Sequence, residues 1–262
     1  MLEKLIQLNQ ILLDEMPEYK NQAGQFSHNY NDQRQLLRSL MNVRSPMPLK
    51  ANFLKMQDEF LQNERTEKSV TKVSELTPIA THKQIYLWQG DITTLNADAI
   101  VNAANSALLG CFVPCHACID NAIHSASGLQ LRNECNEIMQ KQGQAEITGG
   151  AKITNAYNLP CKKIIHTVGP IIHGKLTEED CNLLKSSYTE CLTLAIKEDL
   201  QSIAFCCIST GEFHFPNNKA AEIAIQSVYE LLEQTKSEIK VIFNVFKDTD
   251  YKIYRELLGP DC

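Results

Sequence analysis

Several features that would assign a function at once are missing from this chain of 262 residues. It has no apolar run of the roughly eighteen residues that a membrane-spanning helix needs, which excludes that class of membrane protein. Its net charge of −6 gives no reason to expect binding to nucleic acid or to an anionic membrane. The GxxxxGK[ST] phosphate loop is absent, and the sequence has no internal repeat. No catalytic Ser–His–Asp set can be assembled from it.

The start of the chain also lacks the apolar core of a signal peptide. The chain nevertheless contains ten cysteines. Without an export signal, these cysteines indicate a reducing compartment, in which they stay free or bind metals rather than forming disulfides. We therefore predict a cytoplasmic protein. Its apolar content of 44% is ordinary for a globular protein, and its length allows one large domain or a medium domain with an extension.

The first part of the chain, residues 1–78, reads as helices separated by loops. Apolar residues recur at helical spacing in three segments, 2–12, 35–41 and 53–61. Pro17, Pro46 and Pro48 interrupt the pattern between them. We expect a helical extension that packs on the main domain. A partner-binding arm and a separate domain are the alternatives.

From residue 79 onward, short apolar runs alternate with helical segments. The strand candidates are 85–88, 99–101, 151–153, 163–166, 202–208 and 240–245. The helix candidates are 119–142, 179–199, 217–235 and 249–258. This alternation favours a largely parallel sheet sandwiched by helices, an α/β fold, in a main domain that covers 79–262.

Three cysteines and one histidine lie within eight positions, shortly after the strand candidate 99–101. The spacing of Cys111, His116 and Cys118 can place two thiolates and an imidazole on one zinc ion, with a fourth position for water or substrate. Spacing alone also permits Cys115 in place of Cys111. Buried free thiols are the alternative, since cysteine packs as a small hydrophobic residue. Cys115 beside His116 is also a candidate nucleophile.

Three loops next to strand candidates carry polar residues that suit a nucleotide. Asp91 can accept hydrogen bonds from an exocyclic amine such as that of adenine, or cap a helix. Asn102 and Asn105 can hold a sugar hydroxyl or form a turn. In 209–213, a glycine and a following helix suit a pyrophosphate, although many strand-to-helix turns share this character.

Other polar residues have a structural and a chemical interpretation. Asp120 can orient a water, act as a general base or cap the helix that begins near Ile119. His124 and His166 are interpreted as packed, hydrogen-bonded histidines. Cys206 and Cys207 lie in an apolar strand candidate and are interpreted as core thiols.

Five motifs follow one another in a characteristic order. They are Gly90–Thr93, Asp98–Ser106, Gly149–Pro160, Ile165–Pro170, and Ser209–Gly211 followed by Ala220–Ala221. Together they resemble a macrodomain, the ADP-ribose-binding module, over residues 84–258. The resemblance implies a three-layer α/β/α fold with a mixed, largely parallel sheet.

One segment departs from the common hydrolytic macrodomains, which carry a glycine-rich run where this chain has 110–124. That segment resembles the microbial zinc-dependent branch, which also carries an N-terminal helical extension. The resemblance implies a zinc site on Cys111, His116 and Cys118, and catalytic roles for Asn105 and Asp120. It assigns substrate binding to Asp91, Ile92, Asn105, Ser209, Thr210, Gly211, Glu212 and Phe213.

The activity that this resemblance implies is zinc-dependent removal of mono-ADP-ribose from a modified protein, with an acidic-residue ester as the expected bond. It also implies two partners, a lipoyl-carrier protein of the glycine-cleavage H type as substrate and a sirtuin-like ADP-ribosyltransferase. Two other functions stay open. The module can read ADP-ribose without cleaving it, with zinc as a structural ion and Cys115 as a fourth ligand, or it can hydrolyse a small ADP-ribose derivative.

Overall fold

A computed structural model describes residues 1–259, so the last part of the predicted main domain, 260–262, lies outside the described residues. The helices are α1 (Leu2–Glu15), α2 (Lys20–Ala23), α3 (Tyr30–Val43), α4 (Ala51–Glu67), α5 (Ile119–Ser127), α6 (Leu129–Gln142), α7 (Glu178–Lys197), α8 (Asn217–Thr235) and α9 (Asp248–Leu258). The strands are β1 (Thr71–Lys72), β2 (Pro78–Ile79), β3 (His82–Gln89), β4 (Leu95–Asn96), β5 (Ala99–Ala103), β6 (Ala151–Asn155), β7 (Lys163–Thr167), β8 (Ser202–Phe205) and β9 (Lys240–Val245).

The main sheet of the described chain has seven strands in the order β2-β3-β9-β8-β5-β7-β6. The five inner strands, from β3 to β7, are mutually parallel, whereas β2 and β6 run antiparallel at the two edges. Strands β5, β7 and β8 are each followed by helices before the next inner strand, and these helices flank the sheet. The predicted α/β fold with a mixed, largely parallel sheet is confirmed.

Strands β5 and β8 are neighbours, but the chain leaves them in opposite directions. After β5 it passes to β6 and β7 on one side, and after β8 it passes to β9 on the other side. In open α/β sheets, the crevice beyond the carboxyl ends of two such strands is the usual place for a ligand. The fold therefore brings the loop after β5 and the loop after β8 to one edge of the sheet, at the usual place for a ligand in such folds.

Buried apolar side chains of the described chain form two clusters. One lies within the extension and includes Leu5, Leu37 and Phe60, as expected from the helical spacing of apolar residues there. The other lies around the main sheet. Leu129, the first residue of α6, belongs to the cluster of the extension. The extension therefore has its own core, and α6 of the main domain contributes to it.

Two predicted elements differ from the structure. The helix candidate 119–142 is two helices, because Gly128 has a φ of 102° that ends α5 and starts α6 in a new direction. The strand candidate 202–208 ends at Phe205, where its pairing with β9 ends. Within the described residues, no helix combines the length and apolar content that crossing a membrane requires.

Candidate metal centre and ligand groove

The segment 109–118, called the cysteine loop here, is the later part of the connection from β5 to α5 and contains the predicted metal ligands. The Sγ atoms of Cys111 and Cys118 and a ring nitrogen of His116 lie within 4.8 Å of one another, and all three residues are partly exposed. The Sγ atom of Cys115 lies instead 3.3 Å from the Ser39 hydroxyl of α3. The structure thus brings together the two thiols and one imidazole that the spacing suggested.

The chemistry of these three side chains fits a zinc ion. The Nδ1 atom of His116 is buried and has no hydrogen-bond partner among the described residues, which is costly unless another group binds it. The Cys118 sulfur accepts a hydrogen bond from the backbone N–H of Asn121 at 3.4 Å, as metal-bound thiolates commonly do. Burial raises the pKa of the Cys118 thiol to about 12 in the metal-free protein, so metal binding must release its proton.

The start of the cysteine loop is shaped by a close backbone approach to α5. Gly110 has a φ of 81°, and a Cβ atom there would lie 2.8 Å from the imidazole of His124. The side-chain amide of Asn105 donates to the Gly110 carbonyl oxygen at 3.1 Å, and its oxygen accepts from the Ala107 N–H at 3.0 Å. Asn105 therefore fixes the turn that leads from β5 into the cysteine loop.

Asp120 is a buried hydrogen-bond centre in the first turn of α5. Its carboxylate accepts from the amides of Asn102 at 2.8 Å and Asn105 at 3.3 Å, and lies 3.5 Å from the Nε2 atom of His124. Burial raises the pKa of Asp120 to about 6, although the hydrogen bond from Asn102 acts in the opposite direction. The interpretation of Asp120 as a helix cap is wrong, because the N-cap of α5 is Cys118.

The loop after β8 meets the cysteine loop across the crevice. Glu212 is exposed, and its carboxylate lies 3.9 Å from the Nε2 atom of His116. The hydroxyl of Ser209 is buried without a hydrogen-bond partner among the described residues. Thr210 instead donates its hydroxyl proton to the Cys207 carbonyl at 3.0 Å. The Ser209 oxygen is shielded beside Gly169, so contact of this hydroxyl with a ligand stays a prediction.

Backbone hydrogen bonds hold the remaining part of that loop. The Gly211 carbonyl accepts from the His214 N–H at 3.1 Å, and the Phe213 carbonyl accepts from the Ile172 N–H at 2.9 Å. A Cβ atom added at Gly211 would have no heavy atom of a non-neighbouring described residue within 4 Å. A ligand can therefore approach the backbone of this loop closely at Gly211.

The loop after β3 carries the residues predicted to bind adenine. The Oδ1 atom of Asp91 accepts from the N–H of Thr93 at 3.0 Å and from its hydroxyl at 2.7 Å. Asp91 thus caps the short 3₁₀ helix Ile92–Thr94, the alternative that the sequence had left open, and Ile92 itself is buried. Contacts of Asp91 and Ile92 with adenine stay a prediction.

Sequence reasoning missed an aromatic residue at the same edge of the sheet. Phe246 follows β9 directly and is 75% exposed, an unusual state for a large apolar side chain. Strand β9 pairs with β3, and the Gly90 N–H donates to the Val245 carbonyl at 3.0 Å. Phe246 therefore lies close to the loop of Asp91, where a stacking surface for a base would be useful. The sequence signal that could have identified Phe246 is its position directly after a predicted parallel strand.

A second group of possible metal ligands lies deeper in the molecule. Ligand atoms of His124, Cys135 and His166 also approach within 4.8 Å of one another, and all three side chains are buried. The two ring nitrogens of His166 lie 3.1 Å from the amide nitrogen of Asn102 and 2.9 Å from the hydroxyl of Thr154. Burial lowers the pKa of His166 to about 3. His166 is thus a packed, hydrogen-bonded and neutral histidine, as the sequence suggested. His124 is packed, but the expectation that it is hydrogen-bonded is wrong, because neither of its ring nitrogens has a hydrogen-bond partner among the described residues.

Comparison with known proteins agrees with this architecture. A sequence model of the family described as "Macro domain" matches residues 101–224. A protein named protein-ADP-ribose hydrolase from Treponema medium is 51% identical over 259 residues, covering 98% of each chain. A protein of the same name from Staphylococcus aureus (strain MRSA252) is 48% identical over 237 residues, covering 89% of this chain and 87% of that protein.

A solved structure shares the fold as well. The macrodomain of Trypanosoma brucei in complex with ADP-ribose superimposes with a TM-score of 0.66 at 28% identity, covering 85% of this chain and 95% of that one. The sequence motifs, the mixed sheet and these two relatives at about half identity lead to the same conclusion. The chain belongs to the macrodomain family.

Proposed function

We propose that this chain is a zinc-dependent hydrolase that removes mono-ADP-ribose from modified proteins and releases ADP-ribose. The observation that carries the proposal is the position of Cys111, His116 and Cys118. Their ligand atoms lie together on a loop at the ligand-binding edge of the sheet, and His116 faces Glu212 of the opposite loop at 3.9 Å. The names of the relatives from Treponema medium and Staphylococcus aureus support the hydrolase activity.

The number of protein ligands at the proposed metal centre supports a catalytic zinc site rather than a structural one. Structural zinc sites usually have four protein ligands, whereas catalytic sites have three and an open position. In the described residues, three ligand atoms converge, and Cys115 contacts α3. A bound zinc ion supplies a Lewis acid that polarises an oxygen of the substrate. Two thiolate ligands make this polarisation a better expectation than strong acidification of water.

The rest of the site orients the ligand. Asn105, held by Asp120 and by the Gly110 carbonyl, presents a fixed amide near the proposed position of the distal ribose. The open backbone at Gly211, two residues after Ser209, suits the pyrophosphate. Many remote contacts with ADP-ribose hold the reacting bond in place, and such orientation lowers the barrier substantially.

The proposed bond is an ester between the distal ribose and an acidic side chain. In its hydrolysis, water supplies a hydroxyl group to the anomeric carbon, and the bond to the carboxylate oxygen breaks. The carboxylate leaves with the bonding electrons, and the proton of water passes to solvent. Because a carboxylate is a good leaving group, this reaction needs little help from a general acid.

The proposed protein substrate is a lipoyl-carrier protein of the glycine-cleavage H type, modified by a sirtuin-like ADP-ribosyltransferase. This part of the proposal rests on the resemblance of the cysteine loop and the helical extension to the microbial zinc-dependent branch. A small derivative of ADP-ribose is the competing substrate.

The test is the release of ADP-ribose from a protein mono-ADP-ribosylated on acidic residues, measured with and without a zinc chelator. Wild-type protein is expected to release ADP-ribose, and both the chelator and Cys118→Ala are expected to stop the release. A Cys181→Ala variant serves as the control, because Cys181 lies in α7, outside the ligand set and outside the loops of the groove. Full turnover by metal-free Cys118→Ala protein would disprove the role of zinc. Tight ADP-ribose binding without release would identify a reader module instead.

A further inference from the structure

Helix α3 of the extension contacts the cysteine loop through Arg38. The guanidinium group of Arg38 donates to the His116 carbonyl oxygen at 3.1 Å. It also donates to the side-chain oxygen of Asn121 from two nitrogens, at 2.7 and 3.1 Å. A planar guanidinium suits two acceptors held at a fixed angle, which a lysine ammonium cannot match. One side chain of the extension thus fixes the backbone of a proposed metal ligand.

Asn121 connects Arg38 to the second thiol. Its backbone N–H donates to the Cys118 sulfur at 3.4 Å, and its side-chain amide donates to the Val113 carbonyl at 3.0 Å. Asn121 is fully buried, so its amide has no water to replace these partners. Arg38 therefore orients Asn121, and Asn121 in turn orients Cys118 and the middle of the cysteine loop.

Asn42, one turn further along α3, holds the turn between the ligands. Its side-chain oxygen accepts from the Cys115 N–H at 2.9 Å, and its amide donates to the Ser125 hydroxyl at 3.0 Å. Cys115 has a φ of 53°, a left-handed conformation that residues other than glycine rarely adopt without support. Asn42 supplies that support directly before His116.

The first part of the cysteine loop is tied to the end of α3 by Arg132 of α6. Its guanidinium donates to the carbonyls of Leu109, Met41 and Arg44, and lies over the ring of Phe112 at 4.4 Å. Arg132 is buried, so these hydrogen bonds are shielded from solvent. Both ends of the loop are therefore fixed relative to the same helix.

We infer that α3 is part of the metal site, and that Arg38 and Asn42 are positioning residues that hold the cysteine loop in its metal-binding conformation. This inference rests on the zinc site proposed above. The loop belongs to the main domain, but side chains of both the main domain and the extension hold its shape, and α3 contributes Arg38 and Asn42. The extension thereby gains a role besides packing, because it orders the ligands before the metal arrives.

The experiment measures how fast zinc leaves the full-length protein in excess of a chromogenic chelator. Arg38→Gln removes the charged guanidinium group but keeps a polar side chain of moderate length. Since loss of groups that orient metal ligands typically weakens metal binding 10- to 100-fold, we expect release to be faster by about that factor. Arg38→Lys is expected to restore the wild-type rate only in part, because one ammonium cannot serve both acceptors.

Arg34→Gln is the matched control. Arg34 lies one turn earlier in α3, pairs with Glu64 at 2.6 Å and lies over the ring of Phe60, so its interactions are within the extension. This variant tests whether any weakening of the extension speeds zinc release. We expect Arg34→Gln to lower the thermal unfolding midpoint of the chelated protein at least as much as Arg38→Gln does, while zinc release stays within about threefold of wild type.

The outcomes separate the two proposals. If wild-type protein holds no zinc, the proposed zinc-dependent function fails, and the inference about α3 fails with it. If wild type holds zinc but Arg38→Gln releases it at the wild-type rate, only the role of α3 is disproved. Equal acceleration by Arg34→Gln and Arg38→Gln would also disprove it, since the effect would then be general destabilisation of the extension.

Discussion

Two groups of cysteine and histidine in this protein have similar dimensions but different surroundings. In each group, one ligand atom per residue lies within 4.8 Å of the others. Cys111, His116 and Cys118 are partly exposed on a loop, whereas His124, Cys135 and His166 are buried. Donor atoms at the right distance are therefore not enough to define a metal site.

The difference lies in the exposure of the donor atoms and, for His166, in what they already bind. Both ring nitrogens of His166 have polar neighbours within hydrogen-bond distance, Asn102 and Thr154. Burial raises the pKa of the Cys135 thiol far above its usual range, but it also raises the pKa of Cys118, so the ionisation of the thiols does not separate the two groups.

In the described structure, unpartnered ring nitrogens occur in both groups, Nδ1 of His116 in the loop group and both nitrogens of His124 in the buried group. The two groups therefore differ most clearly in exposure, since an ion and a substrate can reach only the partly exposed loop group directly. We interpret the buried group as part of the core and the loop group as the metal site.

The largest expected effect comes from replacing one cysteine in each group. Cys111→Ser is expected to reduce bound zinc from about one ion per chain to almost none. Hydrolysis is expected to fall by about three orders of magnitude, since a Lewis acid contributes several kcal/mol to transition-state stabilisation. Cys135→Ser is expected to keep the zinc. Elemental analysis and ADP-ribose release check both variants, and loss of zinc from Cys135→Ser would reverse the assignment of the two groups.

The sequence was sufficient to predict the α/β fold and to suggest Cys111, His116 and Cys118 as a group, because these depend on local patterns. Periodicity predicts strands and helices, and ligands within eight residues of one another can meet on one loop. The sequence was not sufficient to predict that Arg38 contacts the cysteine loop. That contact joins residues 78 positions apart, and no local pattern distinguishes Arg38 from Arg34 in the same helix. The break at Gly128 was missed because a glycine inside a helical pattern is often tolerated.

The second expected effect is on stability. Here, replacing a residue of the buried group is expected to cost more than replacing a residue of the loop group. In protein freed of metal by a chelator, His166→Ala is expected to cost about 3 kcal/mol of unfolding free energy, because it leaves a cavity and unpaired buried groups around it. His116→Ala is expected to cost less than about 0.5 kcal/mol, since it removes a partly exposed ring whose buried nitrogen is unpartnered. Urea unfolding of both variants measures the difference, and equal losses would contradict the interpretation of the buried group as core.

The third expected effect is a pH dependence that arises from the buried group. The pKa of His166 is about 3 in the folded protein and about 6.5 in the unfolded chain. Between these values the unfolded chain binds more protons, so stability is lost as the pH falls below 6.5. From pH 7 to pH 5 the expected loss from His166 is about 2 kcal/mol. His124, whose pKa burial also lowers, acts in the same direction.

Asp120 opposes this loss. Its pKa of about 6 lies above the unfolded value, so its protonation stabilises the folded state as the pH falls through that range, by about 1 kcal/mol at pH 5. Urea unfolding of metal-free protein at pH 7 and pH 5 measures the net change. His166→Gln is expected to lose about 2 kcal/mol less between the two pH values than wild type does. Identical pH dependence in the two proteins would show that His166 is not buried in the neutral form.

The smallest expected effect tests the boundary of the metal site within the cysteine loop itself. The Cys115 sulfur lies 3.3 Å from the Ser39 hydroxyl and 3.6 Å from the Gln35 carbonyl, and a serine hydroxyl can replace it in both contacts. Cys115→Ser is therefore expected to keep its zinc and to retain hydrolysis within about twofold, with a stability change of less than about 0.5 kcal/mol. Cys111→Ser is the matched comparison in the same loop. Loss of zinc from Cys115→Ser would instead make Cys115 a ligand, with four protein atoms around the ion and a structural site in place of a catalytic one.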